Sequence, residues 1–572
     1  MAQKLLYNSR YIIFTTIFFL LPICFAQSND NTSSPSPPSK ICQSTPDPSF
    51  CRTILPTNNS SSNIYDYGRL CVRKSLSSST KFLSLIEKYL GSSQNLTVTA
   101  VRALQDCKFL AQCSIDDLVS SSQIVDQKPQ NISDSKTDDV QTLLSAVLTN
   151  TQTCIDGLKD TASAWSFRDG IVTPLINDTR LHSVSLALFK KGWMPKDTIK
   201  RPRPLNGFFK RKHLTFKDGR FNFKMSKKNM EIYRKVRHRR LLQADDGSDQ
   251  VAVSGIVVVG QDGTSNFTTI NDAINVAPNN TNGDSGYFLI YVRGGVYEEY
   301  VSIPKNKKYL LMVGDGINQT IITGNHSVVD GWTTFNSATF AVVAPNFVAI
   351  GITIRNTAGP EKHQAVALRN GADLSTFYEC SFEAYQDTLY VHSLRQFYKN
   401  CDVYGTVDFI FGNAASLFQD CNLYPRRPTK GQFNAITAQG RTDPNQNTGI
   451  SFQNCTIKAA DDLASSNFTV LTYLGRPWKE YSRTVYMQSI MGGLVNPAGW
   501  SVWSGDFALN TSYYAEFNNS GPGSSTSGRV TWPGFHVINA TDAANFTVAA
   551  FLSGDAWIPQ TGVPYRSGLF ST

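Results

Sequence analysis

Two periods of apolar residues divide this chain. From about Ile41 to Phe189 apolar positions recur at three- and four-residue intervals, as in Leu83, Ile86 and Leu90 and again in Leu143, Leu144, Val147 and Leu148. That spacing lines one face of an amphipathic helix. Ser- and Asn-rich loops separate the helical stretches, so the pattern predicts an all-α bundle. From Val251 the period shortens. VSGIVVVG, YFLIYVR, YLLMVGD, TIITG, FVAIGITIRN and GISFQNCTI are short β-branched runs punctuated by Gly, Asn and Asp, which is how strands read. No amphipathic helices alternate with them. That argues against βαβ layering and leaves a sandwich or a solenoid.

Spacing favours the solenoid. ITIRNTAG, CSFEAYQDT, CDVYGTVD and CTIKAADD each run from apolar strand to turn to polar residues. Three strings also put polar groups into apolar settings: QAVAL from Gln364, YQDTLY from Tyr385 and GTVDFIFG from Gly405. Gln364, Gln386 and Asp408 follow one another at intervals of 22 residues. About twenty residues make one coil of a parallel solenoid, and residues one coil apart sit about 4.8 Å apart on adjacent strands. The expectation is a column of an amide, an amide–acid pair and a second acid, which suits hydrolysis. A fourth string, LGRPW from Leu474, supplies an arginine and a tryptophan. Taken singly, Asp387 and Asp408 read as turn formers, a Gln ladder as structure and Arg476 as a surface ion-pair residue. The joint pattern carries the functional reading. His363 and His392 lie near these strings, but no G-x-S-x-G accompanies them, so both are read as structural. No metal-ligand cluster is visible, and neither metal nor cofactor is expected.

Length and charge refine this picture. At 572 residues the chain is too long for one ordinary domain. Its net charge of +10 is local. Residues 1–242 carry 35 Lys and Arg against 18 Asp and Glu, whereas 243–572 carry 19 against 26. Most of the excess lies in 190–242, with 19 basic and 3 acidic residues. The larger part is mildly acidic, so no nucleic-acid partner is expected. Residues 190–242 read as a basic linker ending in RKVRHRRLL, where Arg234, Arg237, Arg239 and Arg240 invite a dibasic-directed protease.

Lys4 and Arg10 precede an apolar run, Ile12–Ala26, and Cys24 and Ala26 fit cleavage before Gln27. Residues 1–26 therefore read as a secretory signal, and the Ser/Asn/Pro-rich residues 27–40 as a disordered lead-in. Sequons at Asn95, Asn266, Asn454 and Asn545 fit a secretory route. Secretion permits disulfides. Cys42 and Cys51 are spaced to close a small hairpin, and Cys107 and Cys154 lie in helical patterns they would tie together. Cys380 and Cys401, 21 residues apart, fit a cross-coil disulfide. Cys71 and Cys113 receive no partner.

The helical stretch, with C-x8-C at Cys42 and Cys51 and TQTCIDGL around Cys154, resembles the plant inhibitor domain for pectin methylesterase and invertase. GGVYEE (Gly294–Glu299), QAVAL, YQDTLYVHS, GTVDFIFGNA, TAQGRTDPNQNTG and YLGRPWKEYSRTV resemble plant pectin methylesterases almost string for string, over about 250–566. The layout resembles the subgroup made as a pro-protein. The resemblance implies a right-handed parallel β-helix at 243–572 and a four-helix-bundle pro-domain at 41–189. It also implies processing at Arg239–Leu242, and de-esterification of methyl galacturonate in pectin at the cell wall.

By that resemblance Asp408 is the nucleophile, Asp387 the general acid and base, and Arg476 the partner of the nucleophile. Gln386 stabilises the oxyanion, and Thr334, Gln364, Arg476 and Trp478 contact substrate. Two close carboxyls cannot both ionise cheaply, so one should hold a proton. A monomer is expected, with inhibitor proteins as further partners. Two other classes compete: a bundle acting purely as a protein inhibitor, and a calcium-dependent lyase. The intact amide–acid–acid–arginine set favours the esterase. A lyase of that kind asks for more clustered acids than this column offers.

Overall fold

The computed structural model describes residues 34–56, 61–92, 96–161, 168–194, 223–224, 226–236 and 251–571. The proposed signal segment, the RRLL site and Asn95 lie outside them.

The helical pattern resolves into a four-helix bundle: α3 (Ile64–Gly91), α4 (Val98–Val125), α5 (Asp134–Asp160) and α6 (Arg168–Trp193). Start signals are legible in the chain. Asn63 and Asp66 form a reciprocal capping box on α3, and Thr97 and Ser133 cap α4 and α5. Ahead of the bundle, α1 (Pro38–Ile41) and α2 (Pro48–Ile54) make a hairpin closed by Cys42–Cys51. Cys107–Cys154 ties α4 to α5. The lead-in is shorter than expected. Proline presets the first turn of α1, and Ser36 N–H donates to Ser62 C=O at 3.0 Å.

The second region is a parallel β-helix of three sheets, with twelve, eight and seven strands. Between Tyr287–Val292 and Arg483–Met487 each strand pairs with the strand three places on, so each of these coils contributes one strand to each sheet; at its two ends the large sheet adds strands that follow one or two places on. The interior is stacked rather than interdigitated. Phe377, Tyr398, Phe418, Phe452 and Tyr486 lie one above another at 4.5–5.3 Å between ring centroids, close to the spacing between strands. One turn repeats through the stack. Glu379, Asn400, Asp420, Asn454, Gln488 and Asn518 each follow a strand of the large sheet and all have φ between 48° and 56°. Asn and Asp tolerate this left-handed region better than most residues, which explains the Asn/Asp punctuation.

Three expectations need correction. First, the coil repeat at the motif strings is 21 residues. Leu368 pairs with Leu389 and Leu389 with Ile410. Asp387 and Asp408 therefore stack directly, whereas Gln364 and Gln386 are offset by one position. Second, Cys380 and Cys401 are free thiols. Cys380, Cys401, Cys421 and Cys455 form one buried column in which each Sγ donates to a carbonyl of the preceding coil, at 3.4–3.6 Å. Stacking gives their Cβ vectors a common direction, so register alone does not aim two sulfurs at each other. Third, the ends of the basic linker are structured. The bundle runs on to Trp193, Phe223–Lys224 pairs with the strand Val251–Val259, and α7 (Lys227–Val236) lays Met230 and Ile232 against the outside of the β-helix.

Candidate active site

Asp387 and Asp408 occupy matching turns just before the strands Leu389–Val391 and Ile410–Gly412, with φ of 64° and 52°. Asp387 N–H donates to Val407 C=O at 3.1 Å, which locks the two turns together. The turn-former reading and the functional one are therefore both satisfied: the left-handed turn is what swings each carboxyl out of the stack. Two coils on, the strand Thr472–Pro477 contributes Arg476. Its Nε and Nη2 donate to Oδ1 and Oδ2 of Asp408 at 2.8 and 2.7 Å, a two-pronged, charge-assisted clamp.

This arrangement separates the two acids electrostatically. Burial pushes the Asp387 carboxyl well above its ordinary range, the Asp408 charge pushes it further, and Arg476 only partly opposes this. Burial raises Asp408 as well, but the bond and charge of Arg476 pull it back. Asp387 is thus the member that holds a proton and Asp408 the member that ionises. His392 is buried and its imidazole is pushed down to about 3, so it stays neutral, bonded to Ser393 and Thr153. This is a packing role.

Thr334, Gln364, Gln386, Asp387, Asp408, Arg476 and Trp478 all line one cavity of about 620 Å³. Trp503, which sequence reasoning passed over, covers the guanidinium of Arg476 at 4.4 Å. Only a cation–π contact across 27 positions marks it, and no local motif does.

The far wall of the cavity is the bundle. Asp106 of α4 and Thr153, Asp156, Gly157 and Asp160 of α5 line the same space. Polar contacts hold the two domains together around it. Asp106 accepts from Thr333 and Asn336. Asp117 accepts from Lys305 at 2.7 Å, Asp139 from Arg395 at 2.7 Å, and Asp156 from Lys479 at 2.9 Å. The loop of the TAQGRTDPNQNTG string docks on α5 and α6, where Gln446 donates to Ser145 C=O and Ser183 donates to Asp443. Apolar groups of α3–α6 merge with Phe335, Tyr390 and Phe411 of the β-helix in one core. Burial of Asp106 in this seam pushes its carboxyl up to about 7.

A parallel β-helix with a paired-carboxyl cleft, walled by an N-terminal four-helix bundle, defines a two-domain solenoid hydrolase. Comparison with known proteins gives the particular family. The pectinesterase family matches residues 256–555, and the plant invertase/pectin methylesterase inhibitor family matches 37–188. "Probable pectinesterase/pectinesterase inhibitor 7" of Arabidopsis thaliana is 58% identical over 99% of this chain and 100% of its own length. "Pectinesterase 2" of Citrus sinensis is 44% identical over 94% of this chain and 96% of its own. Among solved structures, the pectin methylesterase from carrot is 54% identical with a TM-score of 0.54, covering 55% of this chain and 98% of the carrot chain. This chain belongs to the pectinesterase family and carries an inhibitor-type helical domain ahead of its catalytic domain.

Proposed function

We propose that this protein hydrolyses methyl esters of galacturonate in pectin through Asp408, and that its own helical domain keeps it silent until the linker is cut. The observation that carries this reading is the Arg476 clamp on Asp408, one coil from the buried Asp387, inside a cleft whose opposite wall is α5. Arg476 holds Asp408 ionised for attack on the ester carbonyl. Gln386 donates to the oxyanion of the tetrahedral intermediate, a task that suits an amide because it does not titrate. Asp387 gives its proton to departing methanol. It then takes one from the water that hydrolyses the acyl-enzyme. Gln364 and Thr334 position the substrate and Trp478 stacks on a sugar ring.

The bundle occupies space the polymer needs, and this supports autoinhibition in the uncleaved chain. The basic segment ending at Arg239–Leu242 supplies the protease site. The N-terminal signal pattern supports secretion to the cell wall, and the exposed side chains of Asn454 and Asn545 suit glycosylation.

The test is methanol release from highly methylated pectin without calcium. Residues 243–572 should release it, the same segment with Asp408→Ala should not, and the full uncleaved chain should be slower by at least an order of magnitude. Release by the Asp408→Ala variant would sink the mechanism. An uncleaved chain as fast as the trimmed one would sink the autoinhibition.

A further inference from the structure

The first strand of the β-helix, Val251–Val259, is apolar on both faces. Val257 and Val259 belong to the interior of the stack, while Val251, Val253, Ile256 and Val258 join Tyr287 and Leu289 in an apolar cluster on the outer side of the twelve-stranded sheet. A register shift between Val253 and Gly255 carries that outer set from odd to even positions. Leu552, Trp557 and Ile558 of the C-terminal segment belong to the same cluster. At the first strand, the cover comes from the chain ahead of the β-helix. Phe223–Lys224 pairs in parallel with Val251 and Ala252, and α7 packs on the same strand with Met230 and Ile232 against the cluster. Ser226 starts that helix. Its Oγ accepts from Asn229 N–H at 3.2 Å and its carbonyl from Met230 N–H at 2.9 Å. A helix of 10 residues is too short to hold in water alone, so α7 owes its order to this surface.

Chain order gives this contact its meaning. α7 ends at Val236, ahead of the expected cut at Arg239–Leu242, and the strand it covers begins at Val251. The cut therefore falls between a docked element and its dock, and breaks neither. The bundle sits on another face, against Tyr390 and Phe411 of the seven-stranded sheet. Resting on the linker cut proposed above, we propose that the outer face of the first strand is a second docking site for the pro-region, filled by Phe223–Val236, and that the cut pro-region stays bound through it. Bundle and α7 lie on one continuous piece, so each raises the effective concentration of the other at its site. That piece grips the β-helix on two faces, and it separates only when both let go. Cutting licenses release, and dilution or displacement of α7 completes it. Once α7 has gone, an apolar outer patch and the first positions of an edge strand lie open.

The test uses the full chain with a recognition sequence for a specific protease inserted after Leu242, cut in solution and followed by gel filtration over a dilution series. The two pieces of the wild type should co-elute at micromolar concentration. Met230→Asp with Ile232→Asp should raise their dissociation constant about 100-fold, as for loss of two apolar anchors. Met230→Leu with Ile232→Leu should hold the pieces together as the wild type does. Equal dissociation constants for the wild type and the aspartate variant would overturn the proposal. Hydrogen exchange supplies a readout that needs no substitution: amides of Phe223–Val236 should stay protected after the cut. Loss of that protection while the bundle is still attached would also overturn it. Methanol release separates this inference from the silencing on which it builds. A cut complex that co-elutes yet releases methanol at the full rate would bring down the silencing and leave the docking site standing.

Discussion

The helical domain and the β-helix secure their cores differently. In the bundle, each helix contributes an apolar stripe and two disulfides close the structure on itself, so neither disulfide reaches the β-helix. In the β-helix no cysteine is bridged, and order comes from the same residue type recurring at the same height, coil after coil. No covalent tie crosses the seam, where the two domains meet through polar contacts and one shared apolar cluster. On the function proposed above, that lets the bundle leave whole while the β-helix keeps its cleft.

The largest effect on this contrast is expected from Cys107→Ser with Cys154→Ser. Opening a loop of 47 residues should destabilise the bundle by about 4 kcal/mol on the chain-entropy estimate. Two thermal transitions should then separate, with the β-helix transition unmoved. A common shift of both would show that the domains melt as one. Next, Arg476→Gln in residues 243–572 should lower kcat by about 100-fold, comparable to loss of a charge-assisted clamp. Arg476 lowers the Asp408 carboxyl, so its loss lets Asp408 rise. Because Asp408 acts when ionised, the acidic limb of the pH–rate profile should move to higher pH. An unmoved limb would remove Arg476 from that role.

The smallest effect concerns the seam. Burial in the seam raises the Asp106 carboxyl from the ordinary value of 3.8 to about 7, against the opposing bonds of Thr333 and Asn336 and the opposing charge of Arg369. The docked state therefore binds more protons than the separated one. Its stability is greatest at low pH and is lost progressively as pH rises from about 4 to 7. After the linker is cut, bundle and β-helix should dissociate more readily at pH 8 than at pH 5, by a factor of up to about 100 if Asp106 alone titrates. Asp106→Asn should flatten that dependence, as read by titrating methanol release with added bundle.

Legibility also differed between the two regions. The helices and the Cys42–Cys51 hairpin follow from local spacing, because a helix is specified within a few residues, whereas Cys107–Cys154 joins two helical patterns 47 residues apart. The solenoid was legible as a class, but its register was misplaced by one. Gln364 and Gln386 look like equivalent positions in the sequence, whereas ladder pairing of the strands sets the repeat at 21 and stacks Asp387 on Asp408. The same side-by-side geometry explains the cysteine column, where equal height suggested a bond that direction does not supply. The bundle's seat over the cleft left no local trace, since contacts such as Asp156 with Lys479 join residues more than 300 positions apart.

The ladder of left-handed turns has an evolutionary consequence. Successive members from Glu379 to Asn518 are separated by 21, 20, 34, 34 and 30 residues, yet their backbone conformation is the same. The surplus residues must therefore sit away from this turn. Some lie in the loop after Gln439, which seats the bundle, and others run between Ile457 and Thr472. Length change is silent on the stacked side of such a coil and consequential on the open side. A lineage can thus revise what its cleft and its cover touch by lengthening loops there, without altering the column that holds the two acids at fixed height.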